Sequence, residues 1–105
     1  MNNPVLSLLG IARKAGKLSL GTESAKSALQ KNKSNLILLA ADISNKTEKE
    51  LRFLSNGKTP LIRLPFNTFQ ISNAVGTKTG IISVDDSGFA KAIDKKIPKS
   101  ETEEN

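Results

Sequence analysis

The chain has 105 residues, 16 of them basic and 10 acidic, giving a net charge of +6. That length suits one domain with a modest hydrophobic core and leaves no room for two. It contains no Cys and no His, which excludes disulfides, thiolate or imidazole metal sites, Cys/His nucleophile pairs and the usual near-neutral general base.

Asn3 and Pro4 open a first helix over about residues 4–15, with Asn3 as N-cap and Pro4 in the first turn. Val5, Leu8, Leu9 and Ala12 give it one apolar stripe, Arg13 and Lys14 fill its last turn, and Gly16 stops it. Lys17 to Leu20 alternates as a short strand, and Gly21 breaks it. Thr22 is then expected to cap a second helix whose buried face is Ala25, Ala28 and Leu29. Leu36 to Ala41 is a continuous apolar run, as in strands covered on both faces.

Asp42 and Ser44 offer caps for a third helix, about 45–56, with Thr47, Leu51 and Leu54 inward and Glu48 and Arg52 paired at i,i+4. Asn56-Gly57 ends it, and Leu61 to Leu64 is the next strand, bounded by Pro60 and Pro65. A fourth helix begins at Asn67, with Gln70 completing a capping box and Phe66 stapled to Ile71; it ends at Gly76. The loop Thr77 to Gly80 leads into the strand Ile81 to Val84. Asp85 or Asp86 caps a fifth helix with Phe89, Ala92 and Ile93 inward and Lys95 and Lys96 at its C-terminal dipole. Pro98 ends it, so residues 1–98 form the domain and 99–105 a polar acidic tail expected to be disordered. The alternation of helix and strand predicts an α/β fold, a parallel or mixed sheet with helices on both faces.

Three of the ten acids lie in the last five residues, so residues 1–100 carry 16 bases against 7 acids. Residues 1–33 hold Arg13, Lys14, Lys17, Lys26, Lys31 and Lys33 against Glu23 alone. Such a balance points to a polyanionic partner, because neutralised phosphates release counterions. The four Phe residues, 53, 66, 69 and 89, show no basic-aromatic alternation in sequence, which argues against a strand-based stacking surface. No apolar run reaches the ~20 residues of a membrane span, and Met1-Asn2-Asn3-Pro4 lacks the positive region of a signal peptide. A cytoplasmic protein without membrane contact is expected.

Candidate chemistry is sparse. Asp42 ends a buried strand, where an α/β enzyme places a catalytic acid, yet a helix cap explains it as well; Asp85-Asp86 reads the same way. No second acid or ligand set converges on either, so no enzyme and no cofactor are expected. The segment Leu20 to Ser27 is more informative. Gly21, Thr22, Glu23 and Ser24 stand at a helix start, where free backbone N–H groups attract phosphate. Glu23 can accept from base amino groups, and the hydroxyls can donate or accept. Dipole complementation by Glu23 is the structural alternative.

Gly21-Thr22 opening a helix, the strand Leu36 to Ala41 with Asp42, and Asn73-Ala74-Val75-Gly76 leading to a strand resemble the archaeal "L-seven-Ae" ribosomal proteins. Leu9 to Lys17 and Asp86-Ser87-Gly88-Phe89-Ala90 extend the resemblance, over about residues 5–95, to its bacterial YlxQ-type branch. The resemblance implies a three-layer α/β/α sandwich around a four-stranded mixed sheet. It also implies binding to kinked RNA with sheared G·A pairs, through the second helix's start and the loop before the last strand. Where the family has Gly-Thr-Asn-Glu-x-x-Lys, this chain has Gly21, Thr22, Glu23, Ser24 and Ser27.

The expectation is therefore an RNA-binding accessory protein of the translation apparatus, with ribosomal or other structured RNA and ribosomal proteins as partners. A protein-interaction module docking on a ribosomal or RNA-processing protein is the alternative. Arg13, Lys14, Lys17, Lys26 and Lys78 are expected to form one phosphate-binding patch. Thr22 to Ser27, with Glu23, Ser24 and Ser27 among them, are expected to supply the base contacts behind Gly21, and Gly76, Thr77, Lys78 and Thr79 the contacts of the second loop.

Overall fold

Helix ends in this molecule are set largely by local capping. The computed structural model describes residues 3–97; the expected stop at Pro98 and the tail 99–105 lie outside the described residues. The order is α1 (Pro4–Lys14), β1 (Leu18–Leu20), α2 (Thr22–Gln30), β2 (Leu36–Leu39), α3 (Asn45–Ser55), β3 (Leu61–Arg63), α4 (Thr68–Val75), β4 (Ile81–Val84) and α5 (Ser87–Lys96). Asn3 Oδ1 accepts from the Val5 amide, Ser44 from Thr47 and Asp86 from Phe89. Asn67 and Gln70 form the full capping box. At the end of α1, Gly16 N donates to Arg13 O and Lys17 N to Ala12 O, the paired bonds of a Schellman stop.

Three local expectations are corrected. Thr22 is the first residue of α2 and not its cap, because Gly21 occupies the cap position with no side-chain hydrogen bond. Asp42 caps no part of α3; its Oδ1 accepts from both the amide and the hydroxyl of Thr68, at the start of α4. On α5 the buried positions are Ala90 and Ile93, while Phe89 packs half-buried at the core's edge.

The sheet order is β1-β4-β2-β3. β2 and β3 pair in parallel, and β4 runs antiparallel to both β1 and β2. The last strand in sequence therefore wedges between the first two. β2 and β4 are buried along their whole length, as the apolar run implied.

Their alternate residues feed two cores. Leu36, Leu38, Ile82 and Val84 meet Val5, Leu9, Ile71, Val75, Ala90 and Ile93 of α1, α4 and α5. Ile37, Leu39 and Ile81 meet Ala25, Leu29 and Leu51 of α2 and α3. Three helices on one face and two on the other make the three-layer α/β/α sandwich.

Candidate nucleic-acid interface

The wedge of β4 brings together segments that are far apart in sequence. Because β4 is antiparallel to its neighbours, it begins where β1 and β2 end. Gly21 N donates to Ile81 O, and Ala40 N to Gly80 O, both at 2.8 Å. The start of α2, the loop before β4 and the loop after β2 thus share one end of the sheet.

At the start of α2, Gly21 holds φ +94° and ψ 164°, a conformation that only glycine adopts without strain. A Cβ placed there would meet nothing within 4 Å, so the backbone and not crowding requires glycine. The other four helices carry a side-chain cap; α2 carries none. The first-turn N–H groups of α2 thus lack the usual internal acceptor, at the positive end of the helix dipole. Glu23 and Ser24 are exposed in that turn, with Thr22 half-buried and Ser27 half-buried one turn further on.

The loop before β4 is held from both sides. Arg13 Nη1 donates to Val75 O at 2.6 Å and to Thr77 Oγ1 at 2.8 Å. Ser72 Oγ accepts from Thr79 N at 2.9 Å and donates to Thr79 O. Thr79 Oγ1 donates to Ile81 O, and the residue is only 5% exposed. That corrects the expectation that the Thr79 side chain faces a ligand: it is spent inside the loop and positions Thr77 and Lys78, which are exposed.

The loop after β2 is clamped by Arg63. Its Nη1 donates to Ile43 O at 2.8 Å and also reaches the carbonyls of Ala40 and Ala41, while Nη2 pairs with Glu48. Arg63 and then Arg52 hold the Glu48 carboxyl below its ordinary value. The Thr68 hydroxyl does the same for Asp42.

The expected single basic patch is divided. Arg13 and Lys78 lie at the loop before β4, and Lys14 ends α1 beside Arg13. Lys26 forms an ion pair with Glu50 of α3, 3.4 Å apart, on the side of α2 that faces α3. Lys17 stands at the far end of β1, where its carbonyl accepts from Asp85 N, four residues or about 13 Å of strand from Gly21. The sequence reading missed Arg63 and Ser72, whose partners lie in other elements and leave no periodic signal. Among the described residues no cluster of acidic side chains is arranged to hold a metal ion, and no helix is long and apolar enough to cross a membrane.

A model of the Ribosomal protein L7Ae/L30e/S12e/Gadd45 family matches residues 4–94. The chain belongs to this family. Within it the chain falls in the YlxQ-type branch: the RNA-binding protein YlxQ of Enterococcus faecium is 30% identical over 87 residues, 82% of this chain and 84% of that protein. A protein with unknown function from Bacillus halodurans C superposes with a TM-score of 0.86 at 28% identity, over 93% of this chain and 100% of that one. The 15.5kD RNA binding protein of Giardia lamblia shares the fold at 15% identity, with a TM-score of 0.70 over 89% of this chain and 81% of its own. Of the positions that the sequence resemblance singles out, Glu23 and Ser24 are exposed and Ser27 is half-buried.

Proposed function

We propose that this L7Ae-family chain is a cytoplasmic RNA-binding accessory of the translation apparatus that acts by binding and not by catalysis. Its interface is the sheet end made by Gly21 to Ser24, the Gly76 to Lys78 loop and the last turn of α1. The observation that carries the reading is the uncapped start of α2 beside the braced loop before β4. Free helix N–H groups and the adjacent lysines supply donors and positive charge to a phosphate backbone. Glu23, Ser24 and Ser27 face base edges as acceptors and hydroxyl donors. The names of the YlxQ and Giardia relatives agree with RNA as the partner.

The preferred target is structured RNA of the kink-turn class, in ribosomal or other RNA. Titration by fluorescence anisotropy against a kink-turn with sheared G·A pairs and a matched straight duplex tests this. The expected result is tighter binding to the kinked RNA and affinity that falls steeply between 50 and 200 mM salt. Equal affinity for both RNAs removes the kink-turn assignment. No RNA affinity even at low salt removes RNA binding and favours docking on a ribosomal protein.

A further inference from the structure

Two phenylalanines stand in water: Phe53 is 82% exposed and Phe69 71%. Phe69 sits on α4, whose residues 68–75 include no Lys or Arg. Phe53 has different surroundings. On α3, Lys46, Lys49, Glu50 and Phe53 follow at i, i+3, i+4 and i+7, one outward stripe, while Leu51 and Ser55 are buried on the opposite side. A groove of about 440 Å³ runs between α2 and α3, lined by Lys26, Lys49, Glu50, Phe53 and Leu54.

The charge of this face is uneven. Its α2 and α3 stripes carry three cations (Lys26, Lys46 and Lys49) against two acids, Glu23 and Glu50. Glu50 is taken by Lys26, while Glu48, on another side of α3, is held by Arg52 and Arg63. Among the described residues, Lys46 and Lys49 are left without an acid at ion-pair distance. An exposed aromatic ring beside uncompensated lysines is the composition of a single-strand platform: the ring stacks a base, and the cations hold the backbone.

Position joins this face to the proposed interface. Lys26 lies one helical turn below Thr22, and it reaches Glu50, which is one turn above Phe53. One turn of about 5.4 Å on each helix and an interhelix separation of about 8–10 Å put the ring about 14 Å from the α2 start, a span of about four nucleotides at ~3.4 Å per stacked base. We infer that Phe53, with Lys46 and Lys49, stacks an unpaired nucleotide that flanks the RNA held at the start of α2. This inference rests on the RNA-binding reading above and extends its footprint along the α2–α3 groove.

The test uses a kink-turn hairpin made blunt and the same hairpin with a six-nucleotide unpaired tail at either end, one 2-aminopurine placed in the tail. Wild-type protein is expected to bind one tailed RNA about tenfold more tightly than the blunt RNA and to change the 2-aminopurine fluorescence. Phe53→Ala should erase both effects and leave blunt binding unchanged, since stacking on an aromatic is typically worth 5- to 100-fold per base. Phe53→Trp should retain them. Because the ring is exposed, Phe53→Ala is expected to fold normally, checked by circular dichroism.

Equal wild-type affinity for blunt and tailed RNAs overturns the inference while leaving RNA binding intact. Loss of all RNA affinity in the wild type overturns both readings. If Phe53→Ala leaves the tail effect intact but abolishes self-association in sedimentation, the face belongs to a second copy of the chain and the stacking assignment is wrong.

Discussion

Arg63, with Glu48 as its partner, shows how a single side chain can fix one end of the sheet. The guanidinium bridges three carbonyls of the loop after β2 to the carboxylate on α3. Its fork of donors makes such a clamp possible, which a lysine cannot reproduce. Glu48 has its pKa lowered from 4.5, first by Arg63 and then by Arg52. A depressed carboxylate contributes stability above its unfolded value and loses it as pH falls through the folded one. Glu48→Gln should therefore cost about 1–2 kcal/mol at pH 7, an amount suited to a charge-assisted bond whose acid side chain is 19% exposed. The gap between variant and wild type should narrow as pH falls below about 4.5 and on through the lower folded value, as the wild type loses what the variant never had. Thermal melts from pH 7 to pH 3 measure it. A gap that does not narrow at all over that range would show that Glu48 acts through packing and not through charge.

At the scale of elements, α2 shows what the sequence made legible and what it hid. Its apolar face, Ala25, Ala28 and Leu29, is buried as the spacing implied. The caps of α1 and α4 were also readable, because a cap and its partner lie within three residues. The start of α2 was misassigned, since Thr22 is a good capping residue and nothing local shows that Gly21 adopts φ +94°. The Asp42–Thr68 cap spans 26 residues and the Arg13–Val75 brace 62. Neither follows from periodicity, and both depend on the strand order β1-β4-β2-β3. The neighbourhood of Phe53 was hidden for a related reason: Lys46 and Lys49 share its stripe only once the segment is wound as a helix.

The first turns of α2 also carry the sharpest specificity test. Restoring the family motif by Glu23→Asn, Ser24→Glu and Ser27→Lys adds an amide and an ammonium that engage guanine O6 and N7, and a carboxylate that accepts from an amino group. Ser27 is half-buried, but a lysine there can lay its methylenes along α2 and keep its ammonium in water. Each good base contact is worth roughly 1–3 kcal/mol, so the triple variant should bind a kink-turn at least about tenfold more tightly. Its affinity for a straight duplex should change little. No gain in a competition titration would mean that this face of α2 is not turned toward the RNA. A wild-type protein already as tight as the variant would show Glu23, Ser24 and Ser27 to be an alternative solution to the same site.

Across the whole molecule, the lysines are divided between the two ends of the sheet, and salt dependence can tell which end meets the RNA. Lys78 lies in the loop before β4, at the end that holds the start of α2. Lys33 and Lys58 lie where β2 and β3 begin, in loops tied together by the bond from Thr59 Oγ1 to Ser34 O. The four residues of β2 put about 13 Å between those ends, more than the ~8 Å Debye length at physiological salt. A cation that neutralises a phosphate releases a counterion and steepens the fall of log K with log salt by about 0.7–0.9; a screened, distant cation does not. Lys78→Gln should flatten the slope by up to ~1 and weaken all RNAs alike. Lys33→Gln and Lys58→Gln should leave the slope unchanged, and all three variants should melt with wild type, because exposed lysines contribute little to stability. If all three variants flatten the slope equally, the RNA wraps both ends and the contact is not confined to the start of α2 and its neighbouring loop. If only Lys33 and Lys58 matter, the RNA docks at the opposite end, and the uncapped helix start is a feature of the fold alone.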